Sequence, residues 1–312
     1  MVYVWIRIPR RLTKVITKVV IPAAGYGTRL FPATKEQPKE MLPIFSNGLI
    51  GNFCVKPLLQ MVYEQLYDVG FREFCFVVGR GKRCIEDHFM PDHSSVPMLK
   101  NKGLDYHALD LDGFYTKLKT STIFWVNQPE PKGFGDAVLV SRPFVQDEPF
   151  LVSAGDTYII SKNAEHISSL IRIHETLKAD ATFLVQEIED PKQYGIIEGE
   201  EVEPGVYKVK RAVEKPQKPQ TGLAIQAVYV FHPVIFEALE KIMTGKDGEV
   251  QLTDAIEKLV EWGMNVYAVE LSRDLLRLDI GSPQTYWEAL SLSYQSFCKK
   301  PEPIEAAILT GN

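Results

Sequence analysis

The chain has 312 residues, 45% hydrophobic and 24% charged, with a formal net charge of −5. That is enough apolar material for one large domain or two small ones. The charge gives no electrostatic case for a nucleic-acid partner, and no apolar run approaches the ~18 residues of a membrane span. Cys54, Cys75, Cys84 and Cys298 show no C-x-x-C spacing, which fits reduced thiols in a cytosolic protein and argues against zinc. Residues 1–18 carry Arg7, Arg10, Arg11, Lys14 and Lys18, with no acid before Glu36, and read as a basic arm outside the fold. The apolar stretch Val2–Ile6 is too short for a signal peptide, and the positive charge follows it rather than precedes it.

Val19-Val20-Ile21 reads as a buried parallel strand that feeds a small-residue loop, Ala23-Ala24-Gly25-Tyr26-Gly27-Thr28-Arg29. Glycines there let backbone N–H groups approach an anion, and Arg29 and Lys39 add positive charge. The loop is neither of two familiar ones. Leu30 occupies the third glycine position of a dinucleotide fingerprint, which disfavours a nicotinamide oxidoreductase, and no P-loop G-x-x-x-x-G-K-[ST] is present. The stretch GYGTRLFPATKEQPKEMLPI instead closely resembles the start of the bacterial and archaeal UTP–glucose-1-phosphate uridylyltransferases, within the sugar-phosphate nucleotidyltransferase superfamily.

The chain continues with a loop at Phe45–Gly48 and a helix between Lys56 and Gly70, on which Leu58, Leu59, Val62, Leu66 and Val69 share a face. A strand over Glu73–Val78 precedes Gly79–Phe89. That segment could be a solvated helix start, but GRGKRCIEDHF also resembles the uridylyltransferases. Residues 91–120 read as a helical excursion or a lid. The strand Thr122–Val126 leads to Gln128 and Gly133. A glutamine offers a donor and an acceptor to the imide edge of a pyrimidine. The resemblance of QPEPKGFGDAV to the family pattern implies that Gln128 and Gly133 contact uracil, with Asp136 standing where the family usually carries His.

Phe150–Ser153 reads as a buried strand ending in Gly155-Asp156, which puts a carboxylate at the ligand edge of the sheet. Alone, an Asp after a strand is more often a cap or turn residue. The resemblance makes it a Mg²⁺ ligand, with Asp279 of Asp279-Ile280-Gly281-Ser282-Pro283 as the second. His174, on the apolar face of a helix over residues 164–178, is assigned no chemistry. By resemblance Gly195 lies against the sugar, Glu214 accepts from its hydroxyls and Lys215 holds its phosphate. Neighbours in a strand point to opposite faces, so the backbone at Pro216 must be irregular if Glu214 and Lys215 both act. Ala227 stands where the family often has glycine, Thr253 or Gln251 opens the next helix with capping the reading for Thr253, and Gln251 and Asp254 are weaker site candidates.

Strands alternate with helices, so an α/β/α sandwich is expected, Rossmann-like, with a mixed, mostly parallel sheet. Residues 19–298 would form one catalytic domain and 299–312 a tail. The resemblance implies uridylyl transfer from UTP to glucose 1-phosphate, giving UDP-glucose and pyrophosphate, with Mg²⁺ as cofactor in a cytoplasmic homodimer or homotetramer. Arg29, Lys39 and Lys215 would be catalytic, and Ala23, Ala24, Gly25 and Gly27 would bind the nucleotide. Alternatives are a sibling using dTTP or another sugar 1-phosphate, and a catalytically silent paralogue that binds nucleotide sugar.

Overall fold

A computed structural model describes residues 15–242 and 248–298. Most of the expected basic arm and the whole tail therefore lie outside the described residues. Lys18, placed in the arm, opens the first strand instead, and Ile16 is already buried.

In chain order the strands are β1 (Lys18–Ala23), β2 (Pro43–Asn47), β3 (Phe53–Pro57), β4 (Glu73–Val78), β5 (Thr122–Asn127), β6 (Phe150–Ser153), β7 (Thr157–Ile160), β8 (Ala181–Glu187), β9 (Gly195–Glu203), β10 (Val206–Glu214), β11 (Leu223–Phe231), β12 (Val266–Glu270) and β13 (Leu276–Asp279). Nine of them form one sheet in the order β5-β4-β1-β6-β11-β8-β12-β10-β9. All run the same way except β10 and β11. The sheet is thus mixed: β5-β4-β1-β6 form an all-parallel half, and the two opposed strands interrupt the other half.

Period-two alternation separates the two faces. Val19, Ile21, Phe74 and Phe76 pack on one side with the helices Leu58–Val69, Asp105–Lys119 and Glu165–Thr176. Val20, Cys75 and Val77 pack on the other with Val234–Lys241 and Leu252–Glu261. This is the expected three-layer sandwich. A third, smaller core joins Leu30, Leu42, Ile44, Leu278, Ile280 and Ala289, tying the loop after β1 to β13 and to the C-terminal helix Pro283–Phe297.

Two stretches differ from the sequence reading. The expected loop at Phe45–Gly48 is mostly the strand β2, paired with β3, with Phe45 stacked on Phe53 at 5.2 Å. Residues 91–120 hold the helices Ser95–Asn101 and Asp105–Lys119. Phe114 of the second is buried in the core, and Asp110 accepts from the Leu49 N–H and from Asn52. That anchoring makes the second helix part of the layer rather than a lid. His174, buried and 2.9 Å from Thr182, has the packing role expected of it.

One buried ion pair joins two of the sequence motifs. Lys82 of the GRGKR segment donates to Glu40 at 2.9 Å, with side chains 7% and 2% exposed. Burial pushes the Glu40 carboxyl up, against the pull of Lys82 and Lys39. Lys82→Met leaves that carboxyl buried and unpaired and should lower stability by about 3–5 kcal/mol, whereas adding Glu40→Leu should recover most of it. Urea unfolding of both variants checks this, and equal losses in the two would contradict it.

Candidate active site

β1 delivers Ala23 and Ala24 to the edge of the sheet, both buried. The loop that follows turns at Gly27, whose φ of 65° favours glycine. The Gly27 carbonyl accepts from the Thr34 hydroxyl at 2.7 Å and from the Leu30 N–H at 2.9 Å, which closes the loop on itself. Gly25 is different: a Cβ there would meet nothing within 4 Å, so open space rather than packing lies beside it. Arg29 is exposed and makes no hydrogen bond or ion pair among the described residues.

A two-stranded ribbon brings the two acids together. β7 and β13 pair antiparallel with Thr157 opposite Asp279, and the Ile280 N–H donates to the Asp156 carbonyl at 3.1 Å. Lys39 forms a hydrogen-bonded ion pair with Asp156. Burial pushes the Asp156 carboxyl up, but Lys39 outweighs it and holds the group below the usual carboxylate range. Asp279 goes the other way, raised by burial and then by the charge of Asp156, with Arg277, Lys39 and Arg29 opposing. Lys39, although buried, is held above its ordinary value by Asp156, Glu40 and Asp279.

This donor set suits a hard cation. The carboxylates of Asp156 and Asp279 line one cavity and interact electrostatically, and among the described residues no group of three His, Cys, Asp or Glu could cage a metal. Mg²⁺ commonly takes one or two carboxylates and completes its shell with phosphate oxygens and water.

Gln128 follows β5 and is 3% exposed. Its amide nitrogen donates to Asp136 at 2.7 Å and to the Gly133 carbonyl at 3.3 Å. Gly133 needs to be glycine twice over: its φ is 101°, and a Cβ would sit 2.7 Å from the Val250 carbonyl. The Val250 N–H donates to Lys132 and its carbonyl accepts from Gly135, so Gly248–Ile256 is stitched to this loop through the backbone.

Gly195 stands opposite Glu214 in the β9–β10 pair, and a Cβ at Gly195 would fall 2.5 Å from Thr253 Oγ1. Thr253 donates to Glu214 at 2.7 Å. The expected cap role of Thr253 is therefore corrected: Gln251 is the cap residue, and the Thr253 hydroxyl holds Glu214 instead. Lys215 has a φ of 43°, which ends the strand and brings its side chain to the cavity that Glu214 also lines. This is the backbone irregularity expected beside Pro216.

Two adjoining cavities collect these residues. One of about 520 Å³ is lined by Ala23, Ala24, Gly25, Gln128 and Gly133. The other, of about 610 Å³, is lined by Gly27, Gly195, Glu214, Lys215, Ala227 and Asp279. Arg29, Lys39 and Asp156 border both. Of the weaker candidates, Gln251 lines the larger cavity and bonds Glu249, whereas Asp254 is not among its lining residues. Sequence reasoning missed Arg277, which lines the same cavity and donates to Gln226 and to the Tyr194 hydroxyl, each at 2.9 Å. Its position two residues before Asp279 on a short strand was the available signal.

The pattern of the nucleotidyl transferase family matches residues 18–296. The chain is 39% identical over 272 residues to the UTP–glucose-1-phosphate uridylyltransferase of Staphylococcus haemolyticus, covering 86% of this chain and 88% of that one. It is 34% identical over 289 residues to that of Pseudomonas aeruginosa, covering 91% and 98%. Among solved structures it resembles a UDP-glucose pyrophosphorylase complexed with UDP-glucose, with TM-score 0.77 and 31% identity over 90% of this chain and 100% of that chain. It also resembles UTP-bound UGPase from Acinetobacter baumannii, with TM-score 0.77 and 26% identity over 92% and 95%. With a match over nearly all of its length, the chain belongs to the nucleotidyl transferase family.

Proposed function

We infer that the protein catalyses uridylyl transfer from UTP to glucose 1-phosphate, releasing pyrophosphate and forming UDP-glucose. The observation that carries this is the shared wall of the two cavities, where Arg29, Lys39 and Asp156 stand between the nucleotide side and the sugar side. The named relatives and solved structures support the choice of UTP and glucose. The four unpaired cysteines fit a cytoplasmic enzyme.

The sugar phosphate is an oxyanion at neutral pH, so the attack needs no general base. A phosphate oxygen of glucose 1-phosphate forms a bond to the α-phosphorus, and the bond from that phosphorus to the β-phosphate bridging oxygen breaks. The obstacle is repulsion between the two anions, so the protein contributes positioning and charge neutralisation. In this reading Asp156 and Asp279 hold Mg²⁺, which supplies charge neutralisation to the triphosphate. Arg29, exposed at the shared wall of the two cavities, takes the departing pyrophosphate. Lys39 adds a second charge there. Lys215 holds the attacking phosphate, and Glu214, fixed by Thr253, accepts from sugar hydroxyls. The open space beside Gly25 supports close approach of the nucleotide to that backbone, and Gln128 and Gly133 meet the base.

Three outcomes test the reading. Pyrophosphate release with glucose 1-phosphate and Mg²⁺, measured across UTP, dTTP, CTP, ATP and GTP, should be fastest with UTP and stop with excess chelator. Preference for dTTP would change the substrate, and silence with every nucleotide would sink the proposal. Asp156→Asn, nearly isosteric, should keep the far-ultraviolet circular dichroism and lower kcat by about 10²–10³-fold; near-normal turnover would remove the metal assignment. Thr253→Val should raise KM for glucose 1-phosphate by about tenfold while KM for UTP changes little, as loss of one hydrogen bond to a charged group implies.

A further inference from the structure

The resemblance leaves Asp136 without a role, and the hydrogen bonds around Gln128 give it one. An amide NH₂ carries two hydrogens. Those of Gln128 are taken by the Asp136 carboxylate at 2.7 Å and the Gly133 carbonyl at 3.3 Å. Turning the amide over would set its oxygen against two acceptors in a site where the side chain is 3% exposed. The framework holding those acceptors is itself fixed. Asp136 lies in the first turn of the helix Phe134–Leu139, where the Gly135 N–H is tied to the Val250 carbonyl at 2.9 Å.

We propose that Asp136 is a specificity-positioning residue, which locks the Gln128 amide so that only Oε1 is presented to the base. This rests on the nucleotidyl-transfer reading of the site. Gln128 borders the smaller cavity beside Ala24, Gly25 and Pro131. An acceptor held there calls for a donor on the base. Uracil and thymine offer N3–H to an acceptor facing the middle of the pairing edge, where cytosine presents a lone pair at N3 and carries its amino donor only at the neighbouring C4 position. The lock therefore selects imide bases over cytosine and does not separate UTP from dTTP. It also narrows the sequence reading of Gln128 from donor and acceptor to acceptor alone.

The test compares UTP and CTP on the full-length protein with Asp136 intact and in Asp136→Asn, Asp136→Leu and Asp136→Glu. Asparagine can accept from the Gln128 amide or donate to it, so both orientations become available. Discrimination between UTP and CTP, as the ratio of kcat/KM values, should fall by about tenfold or more in Asn and Leu, with the change mainly in KM, and return in part in Glu. An unchanged ratio in Asp136→Asn, or an unaltered protein that uses both nucleotides equally, overturns the proposal. Calorimetric binding of UTP and CTP without sugar phosphate reads the lock separately from turnover. Absence of pyrophosphate release would thus refute the uridylyl-transfer reading while the binding ratio still decides on Asp136. Thermal unfolding identifies any variant that fails to fold; the near-isosteric Asn variant carries the test if Leu fails.

Discussion

Two carboxylates that repel each other are held side by side, and much of the site follows from how the chain tolerates it. The β7–β13 ladder enforces the proximity of Asp156 and Asp279. Lys39 partly compensates it through its ion pair with Asp156, and Asp279 bears the remainder as a carboxyl pushed upward by burial and by its neighbour. Two hard oxygen donors thus line one cavity. Glu40 then sets Lys39 within a wider alternation of charge, since Lys82 balances Glu40 from the segment after β4. The two motifs that were legible as separate strings are one buried electrostatic unit.

Backbone contacts do the complementary work of shaping the cavity walls. Gly133 lets Val250 approach closely enough to form hydrogen bonds on both sides of it, and Gly195 leaves room for the Thr253–Glu214 bond. In both places a side chain would fill space that a second loop already uses. These contacts explain why segments far apart in sequence, around residues 133, 195 and 250, behave as one surface. Arg29, Lys39 and Asp156 sit at the junction of the cavities, with Glu214 and Lys215 in the larger one and the neutral Gln128 in the smaller, an arrangement suited to a reaction whose obstacle is repulsion between phosphates.

Much of this could be read from the residues because it is local. Val19–Ile21 alternate between the two faces of the sheet, Gly27 takes a left-handed turn, and Ser282 with Thr285 forms a capping box ahead of Pro283. The irregularity at Lys215 was also accessible, since adjacent strand residues cannot share a face without one. What escaped depends on distant pairing. The β2 strand looked like a loop because its sequence is short and polar at Ser46-Asn47, and only its register with β3 and the stacked Phe45 and Phe53 identify it. Thr253 looked like a cap because hydroxyls near a helix start usually are. Its real partner, Glu214, lies on another strand. Arg277 went unnoticed because nothing local shows that Gln226 and Tyr194 will meet it.

The ribbon that carries Asp279 is not part of the nine-stranded sheet. A two-stranded unit is marginal alone, so its order depends on the small core formed by Leu278, Ile280 and Ala289 under the C-terminal helix. Local opening of that helix would separate the two acids and relieve their repulsion while the main sheet stays intact. A cation held by both acids would oppose this opening by mass action. Occupancy of the site would then be read as amide-exchange protection in Leu276–Asp279, a segment whose two leucines do not line the cavity.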